Sequence, residues 1–179
     1  MLNIDKTALI IIDVQEKLSR VMYEREKLFE NLQKIIKGVK LLNIPIIVTE
    51  QNPNGLGPTV PDIAPLLTDV KPIVKFSFSC CGEEPFMREI GKLHRKQLLL
   101  AGIEAHVCVY QTAIDLIEAG YEVHTIADCV SSRTPENKGL ALDKMKGEGA
   151  KITGVEIALF ELLRTAKSPK FKEMSQIVK

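Results

Sequence analysis

The sequence predicts a three-layer αβα sandwich built on a doubly wound, mainly parallel, six-stranded sheet. Three observations lead there. Apolar runs of strand length recur along the chain, stretches with apolar residues three and four positions apart lie between them, and Gly, Pro and Asn separate the two patterns. Strands that alternate with helices in this way pair in parallel and carry helices on both faces.

Taken in order, residues 7–14 (TALIIIDV) form the first strand, an apolar run closed by Asp13 and buried on both faces. Residues 25–42 place Leu28, Leu32, Ile35, Ile36, Val39 and Leu42 on one helical face. Asn43 follows, and Pro45 prevents continuation. Residues 46–49 are the second strand, and residues 50–61 (EQNPNGLGPTVP) are loop. A short third strand at 72–75 delivers Lys75, residues 76–82 are loop, and a helix over 83–94 tolerates Pro85 in its first turn. The run at 98–101 is the fourth strand, broken by Gly102. Cys108 then opens a helix over 107–119 that ends at Gly120. Residues 121–127 form the fifth strand, 135–148 a helix, 151–153 a last strand and 155–163 a last long helix. Residues 1–165 make up the domain. The tail, 166–179, carries Phe171, Met174, Ile177 and Val178 and is expected to pack at a homo-oligomer interface of two or more copies.

Length and composition bound the function. A chain of 179 residues is one domain, and at that size roughly 70% of the unfolded surface is buried without help from disulfides or metals. A net charge of +1 gives no electrostatic case for nucleic acid or an anionic membrane. The start, MLNIDKTALIIIDVQ, has no leader pattern, and no apolar run reaches the roughly 18 residues of a membrane span, so a cytoplasmic location is expected. There the four cysteines, Cys80, Cys81, Cys108 and Cys129, are free thiols.

Asp13, Lys75 and Cys108 stand at or just beyond strand C-termini, which converge on one crevice in a doubly wound sheet. The chemistry is coherent. A helix N-terminus and a lysine ammonium lower a thiol pKa, and an aspartate can take the thiol proton and later return it. Each residue also has a plainer reading: a small buried hydrophobe, a turn former and a solvated cation. His94 ends a surface helix, His124 lies in a strand, and His106 either lines the pocket or shapes a turn. No metal-ligand spacing and no glycine-rich phosphate loop is present, so no metal and no cofactor is expected.

The segments Ile12-Asp13-Val14-Gln15, Lys75-Phe76-Ser77 and Gly102 to Val109, in this order, resemble the three motifs of the isochorismatase-like cysteine hydrolases. Residues 127–133 (ADCVSSR) resemble the motif after that family's fifth strand. The likeness runs over residues 5–165 and is nearest to the small isochorismatase-domain subgroup, whose substrates are mostly unassigned. It implies a catalytic triad of Asp13 as general base, Cys108 as nucleophile and Lys75 as stabilising cation. It also implies a cis Ile103–Glu104 peptide that aims the Glu104 N–H, with that of Cys108, at an oxyanion. Gln15, Leu18, Asn52, Leu56, Phe76, Phe78, His106 and Val107 would line the substrate pocket. Nicotinamidases of the family hold a metal through histidines after the second strand, where this chain has none. Isochorismatases cleave a vinyl ether without a nucleophilic cysteine, so Cys108 favours C–N hydrolysis of a small amide or ureido compound. The competing expectations are a catalytically silent interaction protein and a reactive-thiol protein of redox or detoxification type.

Overall fold

A computed structural model describes residues 1–179. All six residues of β1 (Thr7–Ile12) are buried. A strand covered on both faces belongs in the interior of a sheet. β1 pairs in parallel with β2 (Ile46–Gln51) on one side and with β4 (Gln97–Ile103) on the other. With β3 (Ile73–Lys75), β5 (Glu122–Ser131) and β6 (Lys151–Thr153) the order is β3-β2-β1-β4-β5-β6, parallel throughout. The winding reverses between β1 and β4, which opens a crevice beyond their C-terminal ends.

The helices follow the expected alternation. Two are single turns, α1 (Glu16–Ser19) and α3 (Pro53–Leu56). The others are α2 (Arg25–Leu41), α4 (Glu84–Lys92), α5 (Tyr110–Glu118), α6 (Pro135–Gly147), α7 (Val155–Leu163) and α8 (Phe171–Val178). Successive strand residues point to opposite faces, so β1 feeds two cores. Leu9 and Ile11 meet Leu32, Ile35 and Ile36 of α2, Leu159 and Leu162 of α7, and Met174 of α8. Ala8, Ile10 and Ile12 meet Phe86 and Ile90 of α4, Leu116 of α5 and Met145 of α6. The three layers are therefore helices, sheet and helices.

Four features depart from the sequence expectation. Gly102 does not end β4. Its φ is +134°, and a Cβ there would lie 2.1 Å from the Ile12 carbonyl oxygen. The glycine lets β4 pass close against the end of β1, with a register shift toward β5 between Leu100 and Gly102. β5 does not stop at residue 127 but runs to Ser131. Asp128 looks like a strand terminator, yet its carboxylate accepts the Val155 N–H at 3.0 Å and caps α7. The segment bearing Cys108 begins as a π-helical turn, Ala105–Val109, before α5. Finally, the tail belongs to the domain. Met174 is fully buried, Phe171 stacks at 6.3 Å from Phe160, and the Lys170 ammonium donates to the Leu41 carbonyl at 2.7 Å. Met174 and Val178 of the tail pack against the larger core of their own chain.

Two glycines make opposite predictions. Gly102→Ala is expected to lower the unfolding free energy by about 2–4 kcal/mol, through left-handed strain and a backbone clash. Gly139→Ala, in the exposed interior of α6 with nothing within 4 Å of the new methyl, is expected to raise it by about 0.5–1 kcal/mol. Urea unfolding of both variants reads the two signs, and an unchanged Gly102→Ala would contradict the close β1–β4 passage.

Candidate active site

The site starts where β1 ends. Asp13 follows Ile12 with φ 54°, a left-handed turn that aspartate tolerates better than most residues. The turn is held by β2: the Asp13 N–H donates to the Thr49 carbonyl at 3.2 Å, and the Thr49 hydroxyl donates to Asp13 Oδ1 at 2.8 Å. The other carboxylate oxygen, Oδ2, lies 2.7 Å from Lys75 Nζ, and both side chains are 0% exposed. Oδ2 is in ionic contact only, with no aligned hydrogen-bond donor.

Lys75 is the last residue of β3, and its ammonium is surrounded by acceptors. Nζ donates to Gln51 Oε1 at 2.6 Å, to the Phe78 carbonyl at 2.9 Å and to the Ser77 carbonyl at 3.1 Å. Glu83 turns that loop inward by accepting the N–H groups of Phe76 and Ser77 and the Ser77 hydroxyl, at 2.8–3.0 Å. A buried ammonium is tolerable only when its protons are matched in this way.

Cys108, 5% exposed, faces this pair from the π-helical turn. The Ile103–Glu104 peptide that opens the turn is cis. The Glu104 carbonyl accepts from the Val107 and Val109 N–H groups at 3.1 and 3.2 Å. A second thiol, Cys80, is fully buried beside the trio, its Sγ 3.7 Å from the Thr49 hydroxyl that holds Asp13.

The electrostatics differ from the sequence expectation. Burial, with the Asp13 charge added, pushes the Cys108 thiol up to about 12, and Lys75 offsets only part of the rise. The expected acidification by a helix end and a lysine is overridden because desolvation penalises the thiolate more. Burial also raises the Asp13 pKa, outweighing the ion pair with Lys75 and the hydrogen bonds. For Lys75, burial works against the charge, but Asp13 and Cys108 outweigh it and hold the pKa above the ordinary lysine value. Cys80 is pushed up to about 12 by burial first and Asp13 second. The resting arrangement is two neutral thiols beside a lysine cation and its aspartate.

The structure thus brings Asp13, Lys75 and Cys108 together and gives other work to several residues expected to line the pocket. Gln15 is fully buried and serves as a strut: Oε1 accepts the Gln51 N–H at 2.7 Å, and Nε2 donates to the Gln51 and Gly57 carbonyls at 2.9 and 2.7 Å. Leu18 packs on the larger core. The rings of Phe76 and Phe78 are 69% and 57% exposed, and it is their backbone that serves the site. His106 Nδ1 pairs with the Ser132 hydroxyl at 2.9 Å, and Val107 packs half-buried against the smaller core. Asn52 and Leu56 begin and end the α3 turn, Asn52 with φ 37°. Thr49, Gln51, Cys80 and Glu83 are not among the site residues that the sequence picks out. Only Thr49 and Gln51 carried a signal, as polar ends of an apolar strand. No group of three or more His, Cys, Asp or Glu side chains is arranged to hold a metal ion, and no helix is long and apolar enough to cross a membrane.

Comparison with known proteins agrees with this fold. The isochorismatase domain family model matches residues 7–157. The secreted isochorismatase effector Isc1 of Phytophthora sojae is 38% identical over 177 residues, covering 97% of this chain and 84% of that protein. Isochorismatase domain-containing protein 2 of Danio rerio is 37% identical over 174 residues, covering 96% and 86%. Among solved structures, the MAR1 ribonuclease of Caenorhabditis elegans superposes with a TM-score of 0.93 at 36% identity, over 99% of this chain and 91% of that one. With a family model matched over most of its length and relatives aligned nearly end to end, this chain belongs to the isochorismatase family.

Proposed function

We propose that the chain is a metal-independent cysteine hydrolase that cleaves a C–N bond of a small amide or ureido compound through a thioester on Cys108. The observation that carries this reading is the fully buried Asp13 carboxylate, whose Oδ2 is met by its ion-pair partner Lys75 at 2.7 Å, with the Cys108 thiol set against the same carboxylate. Such a carboxylate is a ready acceptor for the thiol proton.

Asp13 takes the Cys108 proton as Sγ attacks the substrate carbonyl carbon, so a free thiolate need not persist. The carbonyl oxygen becomes an oxyanion received by the Glu104 and Cys108 N–H groups. Asp13 passes its proton to the nitrogen, the C–N bond breaks, and ammonia or an amine leaves. Water then enters, Asp13 takes one of its protons, and the hydroxyl attacks the thioester. Collapse expels Cys108, which regains its proton from Asp13, and the acid is released. Lys75 keeps the aspartate ionised between proton transfers.

Two further parts complete the reading. The chain assembles as a dimer or larger, through apolar surface that α8 leaves open: Ile157 on α7, and Val74, Phe76 and Phe78 at the β3 edge of the sheet, each 47–69% exposed. A cytoplasmic setting keeps its thiols reduced, although the Phytophthora sojae relative is named as secreted. RNA is the counter-substrate suggested by the name of the Caenorhabditis elegans relative. A net charge of +1 argues against RNA for this chain.

Incubation with a mixed amide and ureido library, read by mass spectrometry, is expected to give turnover and an acyl adduct on Cys108. Cys108→Ala abolishes both, and Asp13→Asn slows turnover by about 10²–10⁴ through loss of the base. Cleavage of RNA with no small-amide turnover would overturn the reading. Iodoacetamide labelling of Cys108 in the free protein is expected to rise about tenfold per pH unit from pH 7 to 10, because the thiolate fraction keeps growing below a pKa of about 12. A plateau near pH 8.5, the ordinary thiol value, would contradict the raised pKa. Light scattering behind size exclusion is expected to give at least twice 19.9 kDa, and a monomer would refute the assembly.

A further inference from the structure

The three residues at the end of β5 and just beyond it reach three different places. The Ser131 hydroxyl donates to the Tyr23 carbonyl at 2.6 Å. The Ser132 hydroxyl pairs with His106 Nδ1 at 2.9 Å. Arg133 grips the Glu104 carboxylate with two nitrogens, Nε to Oε1 at 2.5 Å and Nη2 to Oε2 at 3.2 Å. His106 and Glu104 both belong to the turn that carries Cys108. The Glu104 side chain is only 9% exposed, whereas that of Arg133 is 61% exposed.

A surface ion pair of this kind normally contributes little to stability. This one is unusual in its partner. A carboxylate buried at a strand end is costly unless matched, and a planar guanidinium fixes both of its oxygens at once. Glu104 is therefore held at two points: its carboxylate by Arg133 and its carbonyl by the Val107 and Val109 N–H groups. A residue pinned at both ends has little freedom to rotate its own peptide N–H.

We propose that Arg133 is a positioning residue for acyl transfer: by clamping the Glu104 carboxylate it fixes the direction of the Glu104 N–H that receives the oxyanion. The inference rests on the hydrolase reading above. It accounts for the length of β5, which runs past Asp128 far enough to deliver Arg133 to the Cys108 turn. The Arg133 guanidinium hydrogen-bonds the Glu104 carboxylate rather than Cys108. Its effect is confined to steps in which negative charge develops on a carbonyl oxygen.

That confinement supplies the test. Two reagents are applied to the full chain, with modification at Cys108 followed by peptide mass spectrometry. p-Nitrophenyl acetate acylates the sulfur through an oxyanion, whereas iodoacetamide alkylates it by displacement with no oxyanion. Arg133→Ala is expected to slow acylation about tenfold to a hundredfold, as displacement of an oxyanion donor does, while alkylation stays within about twofold of the unaltered chain. Arg133→Lys, which keeps the charge and loses the fork, falls between, and added guanidinium restores part of the Arg133→Ala rate. Because loss of Arg133 leaves a buried carboxylate unmatched, Glu104→Gln is the second variant, and it is expected to slow acylation and spare alkylation in the same way. Equal loss of both rates, or of neither, overturns the positioning role alone. Failure of the unaltered chain to acylate at Cys108 overturns the hydrolase reading and this inference with it.

Discussion

The structure depends on one buried ion pair, Asp13 with Lys75, at the C-terminal ends of β1 and β3. Neither side chain is exposed at all, and the charged groups are 2.7 Å apart. Bringing two ions out of water costs several kcal/mol each, and removing one partner of such a pair typically costs about 3–5 kcal/mol. The protein offsets that cost locally. Thr49, Gln51 and two loop carbonyls satisfy what the ions do not satisfy in each other, and Glu83 fixes the loop that supplies the carbonyls. Much of the polar order beyond β2 and β3 is explained by the need to keep this pair charged and dry.

The pair also sets the chemistry. Burial raises the neighbouring thiols, and the pair's aspartate adds to that effect. Cys108 therefore rests as a thiol, and in the proposed mechanism it surrenders its proton during attack to the aspartate beside it. A thiolate formed in advance would be reactive toward any electrophile that reached it. A thiol that ionises only as a carbonyl arrives reserves its reactivity for substrates that fit, which separates the hydrolase reading from a general reactive-thiol role.

The framework could be read from the chain because its signals are local. Long apolar runs ending in a polar residue mark central strands and their functional ends, so Asp13, Lys75 and Cys108 could be picked out as strand-end residues. Other features depend on assembly and leave no local trace. Gln15 resembles a pocket residue until its amide is found bonded to the backbone of β2 and of the following loop. Gly102 resembles a terminator until β1 is seen pressed against it. β5 continues through Asp128 because that residue's task, capping α7, lies 27 residues away. Cys108 looks acidic in the sequence for the same reason: helix ends and lysines are visible there, and desolvation is not.

In the proposed mechanism Cys108 forms and loses a covalent bond in each turnover, with Asp13 moving the proton. Rapid-quench mass spectrometry with an amide that turns over tests this most directly. A thioester on Cys108 is expected to appear and decay at rates sufficient to explain steady-state kcat. Turnover that proceeds without that adduct, or that persists in Cys108→Ala, would contradict it.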